Sequence, residues 1–116
     1  MKPPFINQYR FGYIQIDGKD YNRDVIIMPD RVIKNWRRIS GHKLEPNDLK
    51  LVLETSPDIL VIGTGSVGRM KIPDRTKAFL ENAGIKFFSL PSKEACKKYN
   101  LLREKGRTIA ALHLTC

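Results

Sequence analysis

The segment that most constrains this chain is Asp58-Ile59-Leu60-Val61-Ile62, followed at once by Gly63-Thr64-Gly65-Ser66-Val67-Gly68. A continuous apolar, mostly β-branched run with helical patterns on either side predicts a central parallel strand covered on both faces. The glycines predict a tight, positive-φ exit where that strand leaves the sheet. Such a strand needs parallel neighbours, and helices to cover them.

The remaining patterns supply both. Residues 11–16 alternate as a strand, Asp17-Gly18 is a strong hairpin signal, and residues 21–28 read as a second strand whose Val25-Ile26-Ile27-Met28 is apolar enough for burial on both faces. Residues 31–36 form a third short extended segment. Pro46 opens a helix in which Leu49, Val52 and Leu53 share one face, and Pro57 marks its end. Asp74 is expected to cap a second helix that Gly84 terminates, and Ser92 a third that carries Ala95, Tyr99 and Leu102 and stops at Gly106. Strands at 86–90 and 108–114 complete the pattern. The expectation is a three-layer α/β domain spanning 1–116, with a mixed, largely parallel central sheet and an added N-terminal β-hairpin.

With 116 residues there is room for one core, which needs neither metal nor disulfide to form. Met1-Lys2-Pro3-Pro4-Phe5-Ile6-Asn7 has no apolar core of signal-peptide length, and no stretch has the length of a membrane span. A cytoplasmic protein with no membrane partner is expected. Net charge is +9, from 21 Lys and Arg against 12 Asp and Glu. That excess attracts anions of any kind, or serves solubility alone.

Gly63-x-Gly65-x-x-Gly68 matches the dinucleotide fingerprint literally. A dinucleotide site, however, needs the turn to open directly into a helix, and here Met70-Lys71-Ile72-Pro73 intervenes. The next strand, ending Phe87-Phe88-Ser89-Leu90-Pro91, also lacks the acidic residue that would hold a ribose. No cofactor is expected. A smaller possibility stays open: N–H groups of Gly65 and Ser66, with Thr64 beside them and Arg69 or Lys71 near, forming a nest for a small anion.

Several segments together resemble the small Mth-type domain family. They are Asp58 to Gly65, Met70-Lys71-Ile72-Pro73, Tyr99-Asn100, Gly106-Arg107 and the ending His113-Leu114-Thr115-Cys116. The resemblance implies a three-layer α/β fold with a mixed central sheet and brings no enzymatic activity with it. Its eukaryotic relatives include a mitochondrial respiratory complex I assembly factor and an adipogenesis-associated protein. The family pattern keeps Gly63 and Gly65 without requiring Gly68.

Two histidines and two cysteines show no zinc-type ligand spacing, so no metal is expected. Cys96 and Cys116 fall too far apart along helix and strand to bond. His113 and Cys116, three apart on a strand, point to opposite faces. Trp36-Arg37-Arg38 and Gly41-His42-Lys43 make the densest basic, aromatic patch, with Asp24 as a candidate ion-pair partner. Its bland alternative is a solvated surface anchored by a buried Trp36. The third helix carries Lys93, Lys97, Lys98, Arg103 and Lys105, with Glu94 and Lys98 at i,i+4 spacing. It reads as a solvated face, on which Tyr99 is the only aromatic for base stacking.

The leading reading is a non-catalytic interaction or assembly module that meets a protein partner through Trp36, Arg37, Arg38, His42 and Asp24. The alternative is a small-anion or metabolite binder, with enzymatic activity as one form of it, at Gly63, Thr64, Gly65, Ser66 and Arg69. Nucleic-acid binding is weaker still, and oligomeric state stays open.

Overall fold

The computed structural model describes residues 2–116. Two sheets carry the architecture. The first is an antiparallel meander of β1 (Ile6–Arg10), β2 (Tyr13–Ile16) and β3 (Lys19–Tyr21). The second has β4 (Val25–Ile27), β5 (Val32–Lys34), β6 (Ile59–Thr64), β7 (Lys86–Leu90) and β8 (Thr108–His113), in the order β5-β4-β8-β6-β7. In it, β6 runs parallel to both β7 and β8, while β4 is antiparallel to β5 and β8. The helices are α1 (Lys50–Glu54), α2 (Asp74–Asn82) and α3 (Ser92–Leu102), with a 3₁₀ turn at Pro46–Leu49 leading into α1.

Side-chain alternation along the strands divides the core in two. Leu60 and Ile62 of β6 face Leu44, Leu49, Val52, Met70 and Leu80, and Trp36 joins them. Val61 faces the other way, toward Ile14 and Ile16 of the meander and Ala95 and Tyr99 of α3. Both faces of the mixed sheet are therefore covered, as the apolar run at 59–62 requires. Each large aliphatic side chain buried this way contributes about 1.5–3 kcal/mol of transfer free energy.

Several local expectations hold in detail. Asp17 and Gly18 both take positive φ (49° and 78°), the geometry of a two-residue hairpin turn between β2 and β3. Gly84, at φ +74°, ends α2. Its N–H donates to Glu81 O at 3.0 Å and that of Ile85 to Leu80 O at 3.1 Å, the paired bonds of a Schellman motif. Leu80 and Ile85 are both buried beside it.

Others need correction. The strand expected over 21–28 breaks at Asn22–Asp24, where the chain passes from one sheet to the other. The N-terminal piece has three strands where a hairpin was expected, because β1 pairs with β2. Asp74 and Ser92 are first helical residues, not caps; Pro73 and Pro91 precede them. Lys98 makes no bridge with Glu94 among the described residues and sits 4.5 Å from the Phe88 ring centre.

Candidate functional site

The parallel strands β6, β7 and β8 end at one pole of the mixed sheet, where β4 begins and β5 ends. The β1–β2 turn reaches the same pole, since Gly12 N–H donates to Leu114 O at 2.9 Å. Every residue singled out in the sequence as a candidate for binding lies at or near this end.

The glycine turn is closed by the chain itself. Gly65 has φ +105°, its N–H donates to Ser92 Oγ at 2.9 Å, and its carbonyl accepts the Ser92 N–H at 2.9 Å. The Ser92 hydroxyl donates onward to the carbonyl of His113. Ser66 N–H donates to Thr115 O at 2.7 Å. The free amides on which an anion nest would depend are both engaged, which corrects that premise.

Sterics explain two of the three glycines. A Cβ on Gly63 would lie 2.8 Å from Leu112 Cδ2 and from Ser92 Oγ, and one on Gly65 would lie 2.7 Å from the carbonyl oxygens of Thr115 and Cys116. Gly68 has φ +71°, and a Cβ there would meet only ordinary contacts, Pro91 Cγ and Thr64 Oγ1 at 3.6 Å. Thr64 is buried, and its carbonyl accepts the Met70 N–H at 3.0 Å. Arg69 and Lys71 are both exposed.

Beneath the pole lies a charged cluster that the sequence placed only in part. Asp24 Oδ2 accepts from Arg38 Nη1 at 2.7 Å and from His113 Nδ1 at 2.8 Å, while Oδ1 accepts the Leu114 N–H at 2.8 Å. The ion pair between Asp24 and the basic segment is thus present and largely shielded from solvent, with side chains 5% (Arg38) and 14% (Asp24) exposed. A protonated Nδ1 that donates to the carboxylate cannot also accept from Arg38 Nη2, which lies 3.0 Å from the same nitrogen. Nη2 donates instead to Gly41 O at 3.2 Å. Arg38 also stacks on Trp36, 4.9 Å from the ring centre, and its Nε has no partner among the described residues.

Burial alone would raise the Asp24 carboxyl. The hydrogen bonds from His113, Leu114 and Arg38 outweigh it and hold the group below the usual carboxylate range. A carboxylate-oriented imidazole has the form of a general base. Here the His113 ring is only 7% exposed and lines none of the described cavities, so what the arrangement does is fasten the segment after β5 to the end of β8.

The remaining candidates divide by exposure. Trp36 is a core anchor, 9% exposed, with Nε1 donating to Asp48 O at 3.0 Å. Arg37 and His42 face solvent. Tyr99 is fully buried and donates to Pro4 O at 2.7 Å, which removes the aromatic that base stacking would need. Cys96 is buried, its thiol pushed up to about 12 by desolvation; Cys116 is exposed, and both are free.

Sequence reasoning missed the apolar tips. Phe11 is 62% exposed and Val67 65% exposed, and the neighbouring Gly12 and Ser66 amides bind consecutive tail carbonyls, those of Leu114 and Thr115. Ile39, 75% exposed, follows Arg38 in the segment after β5.

Comparison with known proteins fixes the family. A model described as protein of unknown function (DUF498/DUF598) matches residues 6–114. The chain belongs to that family. It is 34% identical to a conserved hypothetical protein of Pyrococcus horikoshii OT3, covering 96% of this chain and 98% of that one with a TM-score of 0.86. An Mth938-like domain from Bordetella pertussis shares the fold at 17% identity, with a TM-score of 0.66 over 96% of this chain and 85% of the other.

Two further likenesses concern membranes. A Francisella tularensis (subsp. holarctica, strain LVS) protein described as a 13 kDa major membrane protein is 28% identical over 95% of this chain and 89% of its own length. An outer membrane protein from Bartonella henselae has the same fold, at 21% identity with a TM-score of 0.83, covering 99% of this chain and 98% of that one. The expectation of no membrane partner is corrected by these findings. Among the described residues, no helix is long and apolar enough to cross a membrane.

Proposed function

We propose that the chain is a non-catalytic interaction module that docks on an acidic membrane surface through the pole where its parallel strands end. The observation that carries this reading is how polar groups are used there. The inward groups (the Gly65 and Ser66 amides, Asp24, His113 and Arg38) are bonded within the fold, while the exposed groups there include cations and single apolar tips. Arg10, Arg23, Arg37, Arg69 and Lys71 are exposed on the segments at or near this pole, as are Phe11 and Val67. Cations near an anionic surface each contribute about 1 kcal/mol, and an apolar tip that enters the headgroup layer adds burial.

The membrane descriptions of the Francisella and Bartonella proteins favour a bilayer over an acidic protein as the surface. The rival reading, a small-anion binder at Gly63 to Gly68, loses support because its two amides are already engaged.

Co-sedimentation with vesicles of phosphatidylcholine, with and without phosphatidylglycerol, tests the reading. The chain is expected to sediment with the anionic vesicles alone, and Phe11→Asp with Val67→Asp should lower the bound fraction while thermal stability stays unchanged. Absence of sedimentation with anionic vesicles at low salt overturns it.

A further inference from the structure

The same pole carries a concave feature that the docking surface does not by itself explain. A notch of about 240 Å³ opens between the start of β4 and the end of β5, lined by Asn22, Arg23, Asn35, Arg37 and Thr115 together with Asp24 and Trp36. Its shape follows from an irregularity in the β4–β5 ladder. Val25 pairs with Lys34, but the next bond runs from Trp36 N–H to Asp24 O at 2.9 Å, so Asn35 is an extra residue, at φ +58°. An inserted residue in the left-handed region re-aims its neighbours, as bulges do, and asparagine tolerates that conformation.

The lining is rich in donors. Two arginines, two asparagines and a threonine line the notch, from chain segments before β4, after β5 and after β8, and all five side chains carry hydrogen-bond donors. Asp24 contributes no free negative charge, since its carboxylate is held by Arg38, His113 and the Leu114 amide. Among the described residues, neither Arg23 nor Arg37 is paired with a carboxylate. The volume falls below the range of about 300–1,000 Å³ typical of sites that enclose a drug-sized ligand. A compact, multiply charged oxyanion fits better than a nucleotide, and the arginine fork suits a phosphate in particular.

We infer that this notch binds a phosphate group, on inorganic phosphate or on a phospholipid headgroup, through Arg23 and Arg37 with Asn22 and Asn35. On a headgroup it would deepen the membrane reading and rests on it; with inorganic phosphate it stands alone.

Amide chemical shifts of the full chain, followed during titration with inorganic phosphate, decide the point. Shifts are expected at residues 22–24, 35–37 and 115, with binding weakened about tenfold for each of Arg23→Ala and Arg37→Ala, as a lost charge-assisted hydrogen bond implies. Arg69→Ala should bind phosphate as the parent does. No shift at the notch, or shifts that survive both arginine substitutions, overturns the assignment. A second arm uses vesicles containing phosphatidic acid. Loss of vesicle binding in Arg23→Ala and Arg37→Ala, beyond that in Arg69→Ala, assigns the phosphate to a headgroup, and equal losses assign it to a free anion. Failure of every vesicle to bind removes the membrane reading and leaves the phosphate titration to decide the notch.

Discussion

At Asp24 one carboxylate serves three donors, and its removal leaves all three without that partner in a largely shielded place. Breaking a buried ion pair by deleting one partner costs about 3–5 kcal/mol, because the surviving charge stays desolvated. Asp24→Ala is therefore expected to lose stability in that range at pH 7, measured by denaturant unfolding. The pH dependence has a definite sign. The folded-state pKa of Asp24 lies below its ordinary value of about 3.9, so its stabilisation is fully present above that value. It is lost as pH falls through the folded pKa. The stability difference between parent and Asp24→Asn should thus shrink as pH falls below about pH 4. A difference that stays constant through the acid range would mean that the carboxylate is not what the cluster depends on.

Between elements, Ser92 fastens helix to sheet. As an N-cap its hydroxyl would satisfy the first turn of α3; instead it bridges Gly65 N–H and His113 O across three elements. Ser92→Ala should cost about 2–3 kcal/mol, more than the roughly 1 kcal/mol of a lost cap, because it leaves buried backbone groups unpaired. Hydrogen exchange separates the two roles: the Gly65 amide should exchange faster while the first turn of α3 keeps its protection. Fraying of that turn, with Gly65 still protected, would restore the cap. The sequence could not reveal this bridge, since a serine before a helical run looks the same whether it caps or ties. Signals carried by local backbone chemistry were legible, as at Asp17-Gly18, Gly84 and the strand at 59–62. The break at Asn22–Asp24 was not, because nothing in a run of extended residues marks the point where it changes sheets. The β1 strand was hidden for a related reason: Ile6 is buried but Asn7, Gln8 and Arg10 face out, leaving too little alternation to read.

For the molecule as a whole, the +9 excess pulls two properties in opposite directions as salt rises. Like charges repel within the fold, so screening them leaves stability unchanged or raises it. Attraction to an acidic bilayer is screened by the same ions. The arginines at the pole, at about 1 kcal/mol each, outweigh the apolar gain from Phe11 and Val67 if those tips enter only part way. Binding to phosphatidylglycerol vesicles is accordingly expected to fall more than about tenfold between dilute buffer and an ionic strength of about 0.5 M, where the Debye length shrinks to a few ångströms. The melting temperature, followed in the same buffers, should hold or rise. Opposed trends exclude unfolding as the cause of release and show that charge carries the affinity. Binding that resists salt yet disappears with Phe11→Asp and Val67→Asp would mean that the apolar tips, not the cations, hold the chain to the bilayer. Release that coincides with melting would mean that the charge serves solubility alone.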